Sequence, residues 1–383
     1  MSLYSIKDTT LTAIGDAIRE KNGSTDKYTS EQMATAILAI TTGGGGGGLP
    51  EEGLNVTGNC SYRFGYNGWN WFINAYGNQI TCKPTDAKQM FASSTNLTEI
   101  LFEINMSDCT NVWQMFNGCN QLKKFPKFVA EEGKLAKLSK LTELYNNCYR
   151  LNGTVNFDWV DWDYMHTNKS TEMSNMFTCC YSLRSIPEDQ LKKIYCGELS
   201  GYKYSSTHTY YMFNNCYALD EIRGLFPALY NGTSNCYSGT FTNCFRAKEI
   251  IFATQEDGTP YVRSTYKNQI IDLSNVGRVQ YDFYIYNYDS GIDSSNKVSD
   301  DASYQALKDT EDWFTTDWDY SRYNHDSAVN TINSLPDVSA SGGTNTIKFK
   351  GAAGALTDAG AINTLTEEEI AVATAKGWTV TFV

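Results

Sequence analysis

The residues Met115-Phe116-Asn117-Gly118-Cys119-Asn120-Gln121-Leu122-Lys123-Lys124-Phe125 carry a pattern that recurs along much of the chain. With Met115 as position 0, an aromatic ring stands at +1, a cysteine at +4, a leucine at +7 and a large apolar residue at +10. The template recurs every 25 to 36 residues, a period typical of repeat architectures. Its copies have position 0 at Met90, Met115, Leu144, Met176, Met212 and Thr240, and the first carries Ser94 and Leu97 at +4 and +7.

The spacing within each copy predicts a short helix followed by a strand. Positions 0, +4 and +7 share one face of a helix, whereas +10 lies beyond it. A single copy cannot bury its own apolar residues, so neighbouring copies must stack into a continuous core. The expected core residues of this array, over 85–255, include Met115, Phe116, Cys119, Leu122, Met176, Phe177, Cys180, Leu183, Met212, Phe213, Cys216 and Leu219.

The region C-terminal to the array, 256–383, is interpreted as degenerate repeats followed by a C-terminal cap. Strand-like runs persist at 249–252, 269–273, 281–286, 346–349 and 378–382. A final short helix should open at Thr366, with acidic residues at its positive end, and should end at Lys376-Gly377.

The N-terminal segment 1–42 predicts a helical hairpin, because apolar residues recur at helical spacing on two consecutive stretches. Two such helices are too small to form a self-sufficient core and must dock on something else. The hexaglycine at 43–48 is then a flexible linker. The expected docking residues are Leu11, Ile14 and Ile18 on one helix and Met33, Ile37 and Ile40 on the other.

The segment 49–84 is interpreted as an N-terminal β cap for the array. Tyr62, Phe64 and Tyr66 alternate, and Asn67-Gly68 then supplies a turn dipeptide. Trp69, Trp71 and Ile73 continue the alternation after the turn, which together predicts a β-hairpin.

Composition excludes several functional classes. A net charge of -12 argues against wrapping a nucleic acid, and the chain contains no apolar run long enough for membrane insertion. The eleven cysteines show no paired metal-ligand spacing, so neither a metal nor a cofactor is expected. An N-terminus without a signal sequence is consistent with synthesis in a cytosol, where thiols stay reduced.

The repeated Met-Phe-x-x-Cys-x-x-Leu-x-x-Ile template resembles the BspA-type leucine-rich repeat, found in bacterial surface proteins and phage tail proteins. The segment 11–33 resembles the start of tail and other virion proteins from phages of Gram-positive bacteria. Together these resemblances imply an α/β repeat fold, a leucine-rich-repeat solenoid with a small N-terminal helical hairpin. They also imply a non-enzymatic virion protein of the tail, fibre or baseplate, assembled in the host cytoplasm.

In that interpretation, residues 1–42 dock on other virion proteins, and the array of a homo-oligomer contributes to attachment to a host-surface glycan or protein. One alternative is an architectural head or tail decoration protein. A second is a bacterial surface adhesin or a glycan-degrading enzyme, although no pair of carboxylates stands out as an acid and a base.

Two stretches that interleave carboxylates with aromatic rings are candidate ligand-binding segments. Rings can stack on sugar faces while carboxylates accept hydroxyl hydrogen bonds. The alternative is that the rings pack onto the array and the acids are merely solvated. The candidate residues are Trp159, Asp161, Trp162, Asp163 and Tyr164 in the first stretch, and Trp313, Asp317, Trp318 and Tyr320 in the second.

Overall fold

The computed structural model describes residues 54–66, 73, 79–138, 140–167, 173–194, 209–225, 227, 235–244, 247–264, 266–277, 283–287, 291–298, 323–350 and 365–383. The chain forms two compact units, one comprising 1–55 with 79–81 and the other 56–78 with 82–383. The predicted hairpin at 1–42 and the linker at 43–48 lie outside the described residues.

Short parallel strands dominate the described regular structure. One sheet has the order β1 (Leu54–Asn59), β2 (Ile80–Asp86), β3 (Ile104–Asn105) and β4 (Phe128–Val129). β5 (Glu221–Leu225) pairs in parallel with β6 (Glu249–Phe252). β8 (Phe283–Asn287) and β9 (Gly291–Val298) are antiparallel. The described helices are α1 (Trp162–Thr167), α2 (Glu188–Lys193), α3 (His325–Ser334) and α4 (Glu367–Ala375), beside a 3-10 turn at Ser339–Ser341.

The repeated template does not form a helix, and the helical part of the sequence interpretation is therefore wrong. In each copy the residues at -1 and +3 adopt the left-handed backbone conformation, as at Gln114 (φ 56°) and Gly118 (φ 78°). Left-handed residues interrupt a right-handed helix, so each copy folds as consecutive tight turns. Met115 donates its N–H to the Val112 carbonyl, and Cys119 donates to Phe116. The strand predicted at +10 is confirmed for Ile222 in β5 and Ile250 in β6. It is wrong for Ile100, Phe125 and Ile186, which lie outside the named strands.

Neighbouring copies are joined by backbone hydrogen bonds in one constant register. The N–H groups at -1, +1 and +3 donate to the carbonyls at -2, 0 and +2 of the next copy; Phe116, for example, donates to Leu144 at 3.0 Å. The same three bonds recur at each junction between consecutive copies, from the copy at Arg63 to the copy at Thr240. We call this stack of seven copies the turn ladder; its position-0 residues are Arg63, Met90, Met115, Leu144, Met176, Met212 and Thr240.

The copy at Arg63 corrects the predicted β-hairpin. Tyr62, Phe64 and Tyr66 lie in turns rather than in a strand, and they donate backbone N–H groups to Lys88, Met90 and Ala92 of the following copy. The alternation in sequence arose because positions -1, +1 and +3 of this copy are all aromatic. The remainder of the predicted hairpin, apart from the buried Ile73, falls outside the described residues.

Aromatic rings at position +1 form a column through the core of the turn ladder. Successive centroids are 4.9 to 6.0 Å apart, with interplanar angles of 6 to 18°. Each offset stack contributes about 0.5–1.5 kcal/mol beyond the burial of apolar area. The column comprises Phe64, Phe91, Phe116, Tyr145, Phe177 and Phe213.

The cysteine at +4 has a specific hydrogen-bonding role. Its thiol donates to the +1 carbonyl of the preceding copy; Cys119 Sγ, for example, lies 3.0 Å from the Phe91 oxygen. The same contact recurs for the other +4 cysteines at 3.1 to 3.3 Å. Ser94 replaces cysteine in its copy and makes the same bond through its hydroxyl at 2.6 Å. A small side chain with a weak donor fits this buried position.

The C-terminal region forms a parallel three-stranded sheet of β7 (Ile270–Asp272), β10 (Asn345–Phe349) and β11 (Trp378–Phe382), in which β10 lies between the other two. Strands predicted at 249–252, 269–273, 346–349 and 378–382 are confirmed within one residue at each end. For the strand predicted at 281–286, β8 confirms the part from 283, and 281–282 lie outside the described residues. The predicted final helix is confirmed as α4, which begins with a capping box between Thr366 and Glu369. It ends before Gly377, whose φ is 83°.

Candidate binding surface

Buried side chains fill the interior of the turn ladder. The twelve residues named as its expected core are all buried, each with 0% exposure. Burial raises the pKa of the Cys119 thiol to about 12 and also raises the pKa of Cys148, Cys180 and Cys216. These thiols stay protonated, whereas nucleophilic or metal-binding cysteines act as thiolates. The described residues contain no group of three potential metal ligands, and their cysteines are free thiols.

The first aromatic and acidic stretch is only partly exposed. Trp159 is 2% exposed, and its ring centre lies 4.5 Å from that of Phe128. Its indole N–H donates to the Asn156 carbonyl at 2.8 Å. A ring buried in this way cannot stack on a sugar. The hypothesis that Trp159 binds ligand is therefore wrong, because its indole forms part of the core.

Helix α1 positions the rest of this stretch. The Asp161 carboxylate accepts a hydrogen bond from the Tyr164 backbone N–H at 2.8 Å, which satisfies a donor in the first turn. Trp162 is half-buried, with its ring edge against Phe157 at 6.1 Å and its indole N–H 3.3 Å from the Phe157 carbonyl. Asp163 and Tyr164 are exposed, so the part of this stretch most open to a ligand is the outer face of α1.

One lysine lies against α1, and an ion pair forms at Asp158, four residues before the helix. The Lys137 ammonium lies 5.9 Å from the centre of the Tyr164 ring. Asp158 forms an ion pair with Lys193, and this contact lowers the pKa of its carboxyl group. The second candidate stretch, with Trp313, Asp317, Trp318 and Tyr320, lies outside the described residues.

Half-exposed residues, most of them polar, occupy positions +2 and +3 in the last five copies of the turn ladder and form a stripe along them. Its amide groups link adjacent copies: Asn243 Nδ2 donates to Asn215 Oδ1 at 2.7 Å, and Asn117 Nδ2 lies 3.3 Å from Glu143 Oε2. Repetition of one turn thus produces a row in which each of these five copies contributes at least one amide or hydroxyl side chain. The stripe comprises Asn117, Gly118, Asn146, Asn147, Thr178, Cys179, Asn214, Asn215, Thr242 and Asn243.

The sequence did not lead us to predict a cluster of basic and aromatic side chains centred on position -2. Lys88 and Trp113 occupy -2 in adjacent copies, and Lys140 belongs to the next copy along the ladder. Both lysine ammonium groups lie near the Trp113 ring, at 4.8 and 5.1 Å from its centre. Aligning the copies and comparing position -2 could have revealed Lys88 and Trp113, but Lys140 lies two residues before that position.

No helix within the described ranges is long and apolar enough to cross a membrane. No protein-family model, curated protein or solved structure shows significant similarity to the chain.

Proposed function

We propose that the chain is a phage virion structural protein of the tail, fibre or baseplate, whose repeats attach non-covalently to the host surface. The observation that carries the binding role is the turn ladder itself, with copies held in one register and a row of polar groups on its outer side. The virion assignment rests on the two sequence resemblances. We further propose that the ladder is a leucine-rich-repeat solenoid of the BspA type.

The structure supports attachment because the outward groups are held by a rigid interior. The aromatic column and the thiol hydrogen bonds fix each turn relative to its neighbours. Side chains on such a scaffold lose little conformational entropy on binding, which favours affinity. A row of evenly repeated contacts also suits a repetitive partner, because weak contacts at several sites add avidity.

Residues 1–42 would dock on other virion proteins and leave the ladder free to face outward. The same arrangement in several copies around the particle would multiply weak contacts with a cell, consistent with a homo-oligomer. A host glycan or protein would be the partner, and neither nucleic acid nor a membrane interior is proposed.

Two measurements test this function. Mass spectrometry of purified particles should find the protein, and the labelled full-length chain should bind host cells. Absence from particles would contradict the virion role. Presence in particles without cell binding would instead favour an architectural decoration protein.

A matched pair of variants tests whether α1 takes part in attachment. Tyr164 and Leu135 have nearly equal exposure, 38% and 39%. Tyr164→Ala should reduce cell binding, whereas Leu135→Ala should leave it unchanged. Equal binding by both variants would exclude Tyr164 from the contact.

A further inference from the structure

The first half of the turn ladder carries an outward cluster of cationic and aromatic side chains, comprising Tyr62, Lys88, Trp113 and Lys140. The Lys88 Nζ lies 4.8 Å from the Trp113 ring centre and 5.7 Å from the Tyr62 ring centre. Lys140 Nζ lies 5.1 Å from the Trp113 ring. Cation–π contacts of this length hold the ammonium groups in place at a modest energetic gain, about 0.5–1 kcal/mol at exposed sites.

The register of the ladder builds this cluster. Tyr62 donates its backbone N–H to the Lys88 carbonyl, and Gln89 donates to the Trp113 carbonyl. Gln114 in turn donates to the Thr142 carbonyl at 3.3 Å, so four consecutive copies are aligned and each supplies part of the cluster. Because backbone hydrogen bonds fix these positions, the cluster is formed before any ligand arrives.

Several other lysines of the ladder are paired with carboxylates. Lys124 bonds to Glu99 at 2.9 Å, Lys127 pairs with Glu103, and Lys83 contacts both Asp108 and Glu131. In the part of the chain that the structure describes, Lys88 and Lys140 form no ion pair with an acid. They contact aromatic rings instead.

Two acidic side chains lie within three residues of the cluster lysines in sequence, and both are engaged. Asp86 accepts a hydrogen bond from the Lys88 backbone N–H at 2.9 Å. Glu143, three residues after Lys140, accepts hydrogen bonds from the Gln114 amide at 2.6 Å and the Asn117 amide at 3.3 Å. The indole N–H of Trp113 has no acceptor among the described residues. The cluster therefore presents two ammonium groups and an indole N–H, all of which are donors.

We propose that this cluster binds the anionic groups, phosphate or carboxylate, of a sugar or polyol polymer at the host surface. The inference rests on the proposed attachment function and names its ligand class. Ammonium groups form charge-assisted hydrogen bonds to such oxygens, while the edges of the rings contact the carbon skeleton of a sugar or polyol.

A polymer fits better than a small anion because the basic groups extend beyond Trp113. Lys137, three residues before Lys140, lies against Tyr164 and also forms no ion pair within the described chain. Repeated charges along one ligand could engage several lysines together. The net charge of -12 repels polyanions at long range, so this attraction must arise from local contacts.

The test uses the full-length chain on three immobilised polymers: poly(glycerol phosphate), hyaluronate and uncharged dextran. The native chain should bind at least one anionic polymer and not dextran. Lys88→Gln with Lys140→Gln should weaken that binding about tenfold or more through loss of two charge-assisted contacts. The matched control, Lys124→Gln with Lys127→Gln, removes the same charge from lysines already paired with acids and should bind as the native chain does.

The charge-preserving pair Lys88→Arg with Lys140→Arg should retain binding, which separates charge from packing. Equal unfolding midpoints would show that the variants are folded. Preference for one anionic polymer identifies the anion as phosphate or carboxylate. The proposal is overturned if the native chain binds neither anionic polymer, if it binds dextran equally, or if the glutamine pair binds as the native chain does.

Host-cell binding is measured in parallel, so that this inference and the attachment function can fail separately. If the chain binds host cells but neither anionic polymer, the proposed ligand class is wrong and the attachment function is still supported. If the chain binds an anionic polymer but not host cells, the ligand class is supported and the attachment function is contradicted.

Discussion

The turn ladder and the C-terminal region both bury short elements of structure, but the contacts that hold these elements differ. In the ladder each contact is a copy of the one before it: the same backbone bonds, stacked ring and thiol donor. In the C-terminal region the buried contacts are individual and join distant residues. Thr331 Oγ1 donates to the Ile250 carbonyl at 2.6 Å, and the Trp378 indole donates to Pro336 at 2.8 Å.

This difference predicts how each region tolerates change. Loss of one residue in an interior copy of the ladder disturbs two junctions, because each interior copy donates to one neighbour and accepts from the other. Loss of one residue in the C-terminal region breaks a contact that occurs once. The resulting loss in the free energy of unfolding depends on the buried polar groups left without partners.

The largest expected effect is at the aromatic column. Phe116→Ala should lower the free energy of unfolding by about 3–5 kcal/mol, because it opens a cavity and removes stacking with both Phe91 and Tyr145. Denaturant titration measures the change. Phe382→Ala, at a ring that is 40% exposed, is the control and should cost far less; comparable losses would refute the importance of the column.

The second-largest effect on stability is expected at a buried polar contact in the C-terminal region. Asn345 is 1% exposed, accepts a hydrogen bond from the Gln269 N–H at 3.0 Å and donates to Ser341 Oγ at 3.2 Å. Asn345→Ala should cost about 1–3 kcal/mol, since buried partners remain unsatisfied. Asn330→Ala, at a surface amide, should change stability little, and a similar loss for both would contradict the distinction.

The left-handed turn positions give a smaller effect that can have either sign. Gly118→Ala should destabilise the chain by about 1–2 kcal/mol, because φ is 78° there. Cys179→Gly, at the equivalent position with φ 60°, should be neutral or stabilising. The unfolding temperatures of the two variants are compared with that of the native chain. If Cys179→Gly is the less stable of the two variants, backbone strain is excluded as the cause.

The thiol donor predicts an order among substitutions at Cys148, which donates to the Phe116 carbonyl at 3.1 Å. Cys148→Ser keeps a donor, as Ser94 does in its copy, so it should be more stable than Cys148→Ala by about 1 kcal/mol. Chemical denaturation provides the comparison. If alanine is tolerated better, burial of a small apolar group outweighs the hydrogen bond.

The smallest expected effect concerns His325, which lies 3.1 Å from both Asp326 and Glu369 and has its pKa raised by these contacts. A raised pKa in the folded state means that its stabilising contribution is present at low pH. That contribution is lost as pH rises through the folded-state pKa. His325→Gln should therefore lose stability only on the acidic side, as followed by unfolding midpoints at several pH values; a pH-independent loss would contradict this linkage.

Periodicity explains how much of this molecule could be predicted from sequence. The spacing of Met115, Phe116, Cys119 and Leu122 reports burial, and those residues are buried. It does not report backbone handedness, because the same spacing suits a helical face and a pair of turns. Gly118, Asn147 and Asn215 at +3 were the available signal, since these residue types tolerate positive φ.

The candidate site was harder to predict for a related reason. Sequence adjacency suggested that Trp159, Trp162 and Tyr164 act together, but the backbone buries Trp159 and exposes Tyr164. Conversely, Lys88, Trp113 and Lys140 are far apart in sequence, and only the register of the ladder brings them together. The C-terminal strands were predictable from local pattern, whereas their buried polar partners carry no periodic signal.

The proposed function rests on copies of one turn bonded in a single register, and site-resolved amide hydrogen exchange tests that most directly. The N–H groups of Phe116, Gly118, Phe177 and Cys179 should exchange slowly, because each donates to the next copy. Those of Asp163 and Glu368, whose residues are exposed in the first turns of α1 and α4, should exchange rapidly. Uniformly fast exchange at the ladder positions would contradict the register, and with it the rigid surface on which attachment depends.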